Sequence, residues 1–278
     1  MFSGVLSGRE VLRARLPATM WLASFRCSFG AKHGNKSWLT NFKNLPSMMQ
    51  LVNSMTPEEI KKLVFYLDGL RYSFQMANLV SRRIRETLDE ITRNYPDNYT
   101  EEQITSGLLD AWTLVDICYR VRELIQQTPR LSQNLPGIQI FLRGTEQVEN
   151  LRHYVQHLRS GIPNIPVQSN PLWGVLSWTP TDDKTVCYTI FSGNFVGGVY
   201  GNTLTLDTHN LKFTAEMKLT ADGIEIDLNA ILEQLKKVKT CISEWLEQLQ
   251  QPKIQQVKGK TMVLSFQYQN LKSPAAAA

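Results

Sequence analysis

Glu149-Asn150-Leu151-Arg152-His153-Tyr154-Val155-Gln156-His157-Leu158 is the last stretch of helical spacing before the character of the chain changes near Ile162. Val148, Leu151, Val155 and Leu158 recur at i, i+3, i+7 and i+10, which makes one apolar stripe on a helix. Glu149, Arg152, His153 and Gln156 run beside that stripe. Thr145 is expected to cap the helix, and Glu146 puts negative charge in the first turn, where unpaired N–H groups favour it. Gly161 and Pro163 supply the stop. On an ideal helix Arg152 and His157 project about 140° apart. They can approach one phosphate from opposite walls of a cleft, or meet across a symmetric dimer seam.

Upstream of this helix the pattern is helical. Thr56-Pro57-Glu58-Glu59 is a helix start, with a Thr cap, Pro at the first helical position and Glu at the third. Ile60, Leu63, Val64, Leu67, Leu70, Phe74, Ala77, Ile84, Leu88 and Ile91 carry an apolar face to about Asn94. Arg82, Arg83 and Arg85 lie next to Glu86, Asp89 and Glu90 and read as a solvated face. Tyr95-Pro96-Asp97-Asn98 is a turn. Thr100-Glu101-Glu102-Gln103 opens a second helix to about Gln127, on which Asp116 and Arg120 stand at i, i+4. A short apolar run, 138–142, precedes the Arg152 helix.

Downstream, Pro163, Pro166 and Pro171 form a linker. The segments 173–179, 185–191, 203–206, 211–219 and 223–226 read as strands, rich in β-branched and aromatic residues and separated by Gly, Asp and Asn turns. Residues 193–198 contain scattered glycines but lack a strand–GxGxxG–helix context and a P-loop lysine, so they read as a turn. Residues 228–249 return to helix, and 261–269 alternate like a last strand. The expected fold is α+β: an N-terminal helical bundle, then a small antiparallel β-sheet with a long C-terminal helix. The expected divisions are a basic tail or targeting-like extension over 1–40, a bundle over 41–162, a β-rich module over 163–270 and a disordered tail over 271–278.

The 278 residues allow a sizeable core, and the apolar and charged fractions, 42% and 20%, are those of a globular protein. The net charge of +5 is concentrated at one end. Residues 1–44 hold seven bases (Arg9, Arg13, Arg15, Arg26, Lys32, Lys36, Lys43) against Glu10, which leaves 23 bases and 24 acids elsewhere. The near-neutral remainder carries no basic footprint for nucleic acid by itself. The basic end resembles an organelle transit peptide; a disordered tail or an upstream extension of the reading frame is the favoured reading of the same composition. Its apolar run, 18–25, is too short for a membrane span, so no membrane partner is expected. Cys27, Cys118, Cys187 and Cys241 are far apart and have no metal-ligand spacing, which points to reduced thiols in a cytoplasmic protein.

Three readings compete for the charged flank of the 149–158 helix. His153 and His157 at i, i+4 share a face that can hold zinc, but Tyr154 stands where a metalloprotease helix has its glutamate, and no third ligand is evident, so no metal is expected. A structural flank paired with Glu149, Glu146 or a neighbouring helix is the second reading. The third is phosphodiester chemistry. Metal-free RNA cleavage needs a base for the ribose 2′-OH and a cation for the phosphorane oxygens. Histidine, which changes charge near neutrality, suits the first role, and the forked, permanently charged arginine suits the second.

Arg152-His153-Tyr154-Val155-Gln156-His157 resembles the motif of the HEPN superfamily of helical-bundle ribonucleases and nucleotide-binding domains: an arginine, a polar residue, a short variable stretch and a histidine on a late helix. The resemblance covers roughly 55–162, and the β-rich segment lies outside the usual bundle. It implies Arg152, His153 and His157 as site residues, with an acid from an earlier helix assisting, for which Asp116 is the nearest candidate. It also implies a homodimer with Arg152 and His157 of both chains in one cleft, RNA or a nucleotide as ligand, no cofactor, and a toxin or phage-defence setting with an antitoxin or other protein partner. A non-catalytic helical interaction protein, dimeric through its long helices, is the alternative.

Overall fold

The structure, a computed structural model, describes residues 55–158, 171–193 and 203–249. The expected basic tail, most of the Pro-rich linker, the glycines of 194–198, the strand at 261–269 and the Ala-rich tail lie outside those residues.

Helix α1 spans Pro57–Asn94 and α2 spans Glu101–Gln127. Both start at the capping boxes read from the sequence. Thr56 Oγ1 accepts from the Glu59 N–H at 3.2 Å while Glu59 Oε2 accepts from the Thr56 N–H at 2.8 Å. Thr100 and Gln103 repeat the arrangement. Each box satisfies two N–H groups that the first turn leaves unpaired. The two helices pack antiparallel along one face, burying Leu70, Phe74, Ile84 and Leu88 of α1 against Ala111, Leu114, Cys118, Val121 and Ile125 of α2.

The basic cluster on α1 is the largely solvated face read from the sequence, and two of its arginines also reach other elements. Arg83 forks onto Asp110 of α2, whose side chain is fully buried, and Arg85 reaches Glu216 at 3.2 Å. Only Arg82 pairs locally, with Glu86 at 3.8 Å. A buried carboxylate demands a partner of opposite charge, and α1 supplies it across the helix pair.

The run at 138–142 is the middle of a short helix, α3 (Pro136–Gly144), started by Pro136. Helix α4 (Glu146–Gln156) follows after the single residue Thr145.

Strands β1 (Val175–Trp178), β2 (Tyr188–Phe191), β5 (Met217–Ala221) and β6 (Ile224–Asp227) form an antiparallel sheet in the order β2-β1-β5-β6. The expected strand over 211–219 is two strands. Its first part, β4 (Lys212–Phe213), pairs with β3 (Leu206–Asp207) in a small separate ribbon, and its second part is β5. Asp222 and Gly223 both have positive φ, 51° and 72°, and the register Ala221↔Ile224 leaves a two-residue loop. That is the hairpin chemistry of an Asp-Gly pair.

The register puts Leu176, Trp178, Ile190, Met217, Leu219 and Ile226 on one face, where they join the helical core. The other face is polar at its centre: Ser177 Oγ lies 3.1 Å from Thr189 Oγ1 and 3.1 Å from Thr203 Oγ1. Asp227 then accepts from the N–H groups of Asn229 and Ala230 and starts α5 (Leu228–Leu249). Ile231, Leu235, Val238, Ile242 and Trp245 form its buried stripe against α3 and β5. Two indole N–H groups fasten sheet segment to bundle. Trp178 donates to Thr92 Oγ1, and Trp112 donates to the Trp173 carbonyl, each at 3.0 Å. One continuous buried cluster runs through α1–α5 and the sheet. The protein is α+β, with a helical N-terminal region, a small antiparallel sheet and a long helix after it.

Candidate functional site

Helix α4 is held on three sides. Val148 and Leu151 are buried under it. The Tyr154 hydroxyl donates to the Leu172 carbonyl at 2.9 Å, just before β1. Burial raises the Tyr154 phenol above its ordinary range, and the Asp222 carboxylate at the tip of the β5–β6 hairpin adds to the rise, so the group stays a protonated donor at neutral pH. The hairpin thus buttresses the helix that carries the motif.

The third support was not anticipated. Arg122, on the inner face of α2, is buried. Its guanidinium donates to the Leu142 carbonyl at the end of α3, to Thr145 Oγ1 at 2.8 Å and to Glu149 Oε2 at 3.0 Å. Thr145 in turn donates to the Phe141 carbonyl at 2.7 Å. Thr145 therefore does not cap α4 with its side chain, as the sequence suggested: its hydroxyl is committed backwards to α3 and sideways to Arg122. One arginine satisfies groups on both sides of the α3–α4 junction. A signal for it exists in the sequence. Arg122 falls four residues after Cys118 and three before Ile125, inside the apolar stripe of α2, where an unpaired charge is costly. Beneath it, burial pushes the Cys118 thiol up to about 12, which leaves it protonated and unreactive.

Glu149 and Arg152 stand one turn apart on α4 and meet α2 in succession, Glu149 at Arg122 and Arg152 at Asp116. Arg152 Nε lies 2.8 Å from Asp116 Oδ1, both side chains being about a quarter exposed. The N–H direction is off the oxygen, and the buried Nε makes no hydrogen bond, so the contact is a charge pair rather than an aligned bond. The second Asp116 oxygen accepts from Arg120 Nε at 2.7 Å, the i, i+4 pair expected on α2. The Arg152 guanidinium also lies 5.7 Å from the centre of the Tyr119 ring, within cation–π range. Asp116 is thus bracketed by two arginines, one from its own helix and one from α4.

His153 and His157 form a second pair. Their ring centroids are 4.2 Å apart at a tilt of 46°, and both residues are exposed. His157 is the C-cap of α4, its N–H donating to the His153 and Tyr154 carbonyls. Among the described residues no group of three His, Cys, Asp or Glu side chains is placed to hold a metal ion. The four residues expected from the sequence fall into two contacts, Arg152 with Asp116 and His153 with His157, joined by one turn and a half of α4. The guanidiniums of Arg120 and Arg152 flank Asp116, and that of Arg122 meets Glu149.

Comparison with family models, curated proteins and solved structures returns no match. Among the described residues no helix is long and apolar enough to cross a membrane.

Proposed function

We propose that this chain is an HEPN-like protein of the cytoplasm that acts on RNA at the end of α4, as a metal-independent ribonuclease of the toxin or defence type. The observation that carries this reading is the 2.8 Å contact between Arg152 and Asp116. It joins the motif arginine to an acid of an earlier helix, 36 residues away in sequence, which is the assistance the resemblance calls for. Asp116 at Nε and the Tyr119 ring near Cζ hold the guanidinium, whose terminal nitrogens face a bound phosphate. His157 takes the proton of the ribose 2′-OH. The 2′-oxygen then bonds to phosphorus as the bond to the 5′-oxygen breaks, and an imidazolium returns a proton to that leaving oxygen. Arg152 balances the charge on the non-bridging oxygens. The products are a 2′,3′-cyclic phosphate and a free 5′-hydroxyl.

A second reading, a non-catalytic interaction protein, is favoured by the same carboxylate: Asp116 already engages both Arg152 and Arg120 in ion pairs. Incubation of a mixed RNA pool in EDTA, followed by end-group analysis, separates the two. The ribonuclease reading expects 2′,3′-cyclic ends from the wild type and a loss of about 100-fold or more in Arg152→Ala and in His157→Ala. Cleavage unchanged in both folded variants refutes those roles. No cleavage and no retention of RNA or mononucleotides by the wild type transfers the assignment to the interaction reading.

A further inference from the structure

The turn that leads into β1 is fastened at every carbonyl. Pro171 accepts from the Gly174 N–H at 2.7 Å, and Gly174 accepts from the Ser192 hydroxyl at 2.8 Å. The two carbonyls between them go to the helices of the candidate site. Leu172 accepts from the Tyr154 hydroxyl of α4, and Trp173 accepts from the Trp112 indole of α2. Gly174, at φ +80°, lies so close to β5 that a Cβ there would meet the Thr220 carbonyl oxygen at 2.4 Å. A turn committed in this way has little room to move. The Trp173 side chain is nonetheless 47% exposed. One exposed apolar residue is ordinary. An indole displayed from a turn that α2, α4 and the sheet hold in place is the rigid aromatic anchor on which binding sites are built.

The anchors of this turn are neighbours of the arginine contact. Trp112 stands four residues before Asp116 on α2, one turn or about 6 Å, and Tyr154 stands two residues after Arg152 on α4. The helices that bring Arg152 to Asp116 at 2.8 Å are thus the ones that fix Trp173 beside that contact. A stacked nucleic-acid strand advances about 3.4 Å per nucleotide, so the offset along α2 is under two steps. Next to a phosphate on Arg152, the strand therefore presents a base at the level of the turn. A flat, uncharged indole takes a base by stacking, whatever the base's identity. The Tyr119 ring is already engaged by the Arg152 guanidinium, 5.7 Å from its centre, which leaves the indole as the aromatic face for the base.

We propose that Trp173 is the base-binding residue of this site, its indole stacking on the nucleobase next to the phosphate that Arg152 holds. The inference rests on the ribonuclease reading for the phosphate, and it adds a residue from outside the helical bundle that the HEPN resemblance covers. Trp173 touches no reacting atom. It sets which phosphate of the strand falls between Arg152 and His157, so its loss acts on RNA binding and not on the proton transfers.

Two fluorescein-labelled probes separate base from phosphate. One is a 2′-O-methyl oligoadenylate of roughly ten nucleotides, which resists cleavage because the attacking oxygen is methylated; the other is an abasic ribose-phosphate chain of the same length. In fluorescence anisotropy with the full chain, the wild type is expected to bind oligoadenylate about tenfold more tightly than the abasic chain. Trp173→Leu should lose that tenfold on oligoadenylate and nothing on the abasic chain, with an unchanged circular dichroism spectrum, and Trp173→Phe should keep most of it. Arg152→Ala should weaken both chains alike. A Trp173→Leu protein that binds oligoadenylate as tightly as the wild type overturns the proposal and leaves the ribonuclease reading standing. Equal losses on both chains also overturn it, because the residue then acts through the fold and not on a base. A wild type that binds neither chain removes the ribonuclease reading, and this inference with it.

Discussion

Replacing Arg122 by methionine isolates what the buried guanidinium does at the α3–α4 junction. Methionine keeps much of the apolar stem that fills the interior of α2 and removes the charge and all its donors. Two hydrogen bonds lie inside the protein, to the Leu142 carbonyl and to Thr145 Oγ1. Bonds from a charged donor contribute about 1.5–3 kcal/mol each, and one partner keeps compensation, since Thr145 retains its bond to the Phe141 carbonyl. The third limb reaches Glu149, which is 58% exposed, and is screened to below about 1 kcal/mol. The expected loss for Arg122→Met is about 3 kcal/mol. Arg122→Ala adds a cavity and should lose about 1–2 kcal/mol more. In urea unfolding followed by tryptophan fluorescence, with a slope of roughly 2 kcal/mol/M, the methionine variant should shift the midpoint down by about 1.5 M. Glu149→Gln should shift it by less than about 0.3 M. A methionine variant within about 1 kcal/mol of wild type refutes the reasoning, as does a Glu149→Gln loss equal to that of Arg122→Met, because either result moves the energy away from the buried bonds.

Two further outcomes follow from the sheet. Gly174 has φ +80°, and a Cβ there would sit 2.4 Å from the Thr220 carbonyl oxygen of the neighbouring strand. Gly174→Ala should therefore cost about 3 kcal/mol or more and lower the melting temperature by about 10 °C, whereas Gly223→Ala, at φ +72° with open space around it, should cost only about 1 kcal/mol. Equal losses would remove the close-approach explanation. The Lys184 ammonium bonded to Glu216 at 2.8 Å, followed by the charges of Lys184 and Arg85, holds that carboxyl below its ordinary 4.5. Because its folded value is depressed, its contribution to stability is present above about 4.5 and is lost as pH falls through the lowered value. Glu216→Gln should flatten the acid limb of the stability profile below pH 4.5; an unchanged acid limb would show that the pair does not form in solution.

The elements most legible in the sequence are those whose determinants are local. Thr56-Pro57-Glu58-Glu59 and Thr100-Glu101-Glu102-Gln103 specify their helix starts because cap, first-turn proline and third-position acid or amide act within four residues. Asp222-Gly223 specifies its hairpin in the same way. The 211–219 segment is less legible. Its apolar alternation runs on, but Glu216 is drawn out of it by Lys184, Arg85 and Asn229, which come from three distant parts of the chain. The candidate site divides similarly. Arg152, His153 and His157 stand out by residue type and spacing, whereas Asp116 follows only from the resemblance, as the nearest acid on an earlier helix. Arg122 and Tyr119, which fasten the motif helix and cover its arginine, become visible only once α2 and α4 are side by side.

The sequence by itself determined the α+β class and the two long N-terminal helices and the C-terminal helix with their apolar faces, because hydrophobic period and capping are properties of a few neighbouring residues. The tertiary structure alone decided which charges are partners. Arg83 finds Asp110, Arg122 finds Glu149, and Arg152 finds Asp116 across 27, 27 and 36 residues of chain. Charge pairing depends on distance in space and on exclusion of water, and neither exists until the helices have packed.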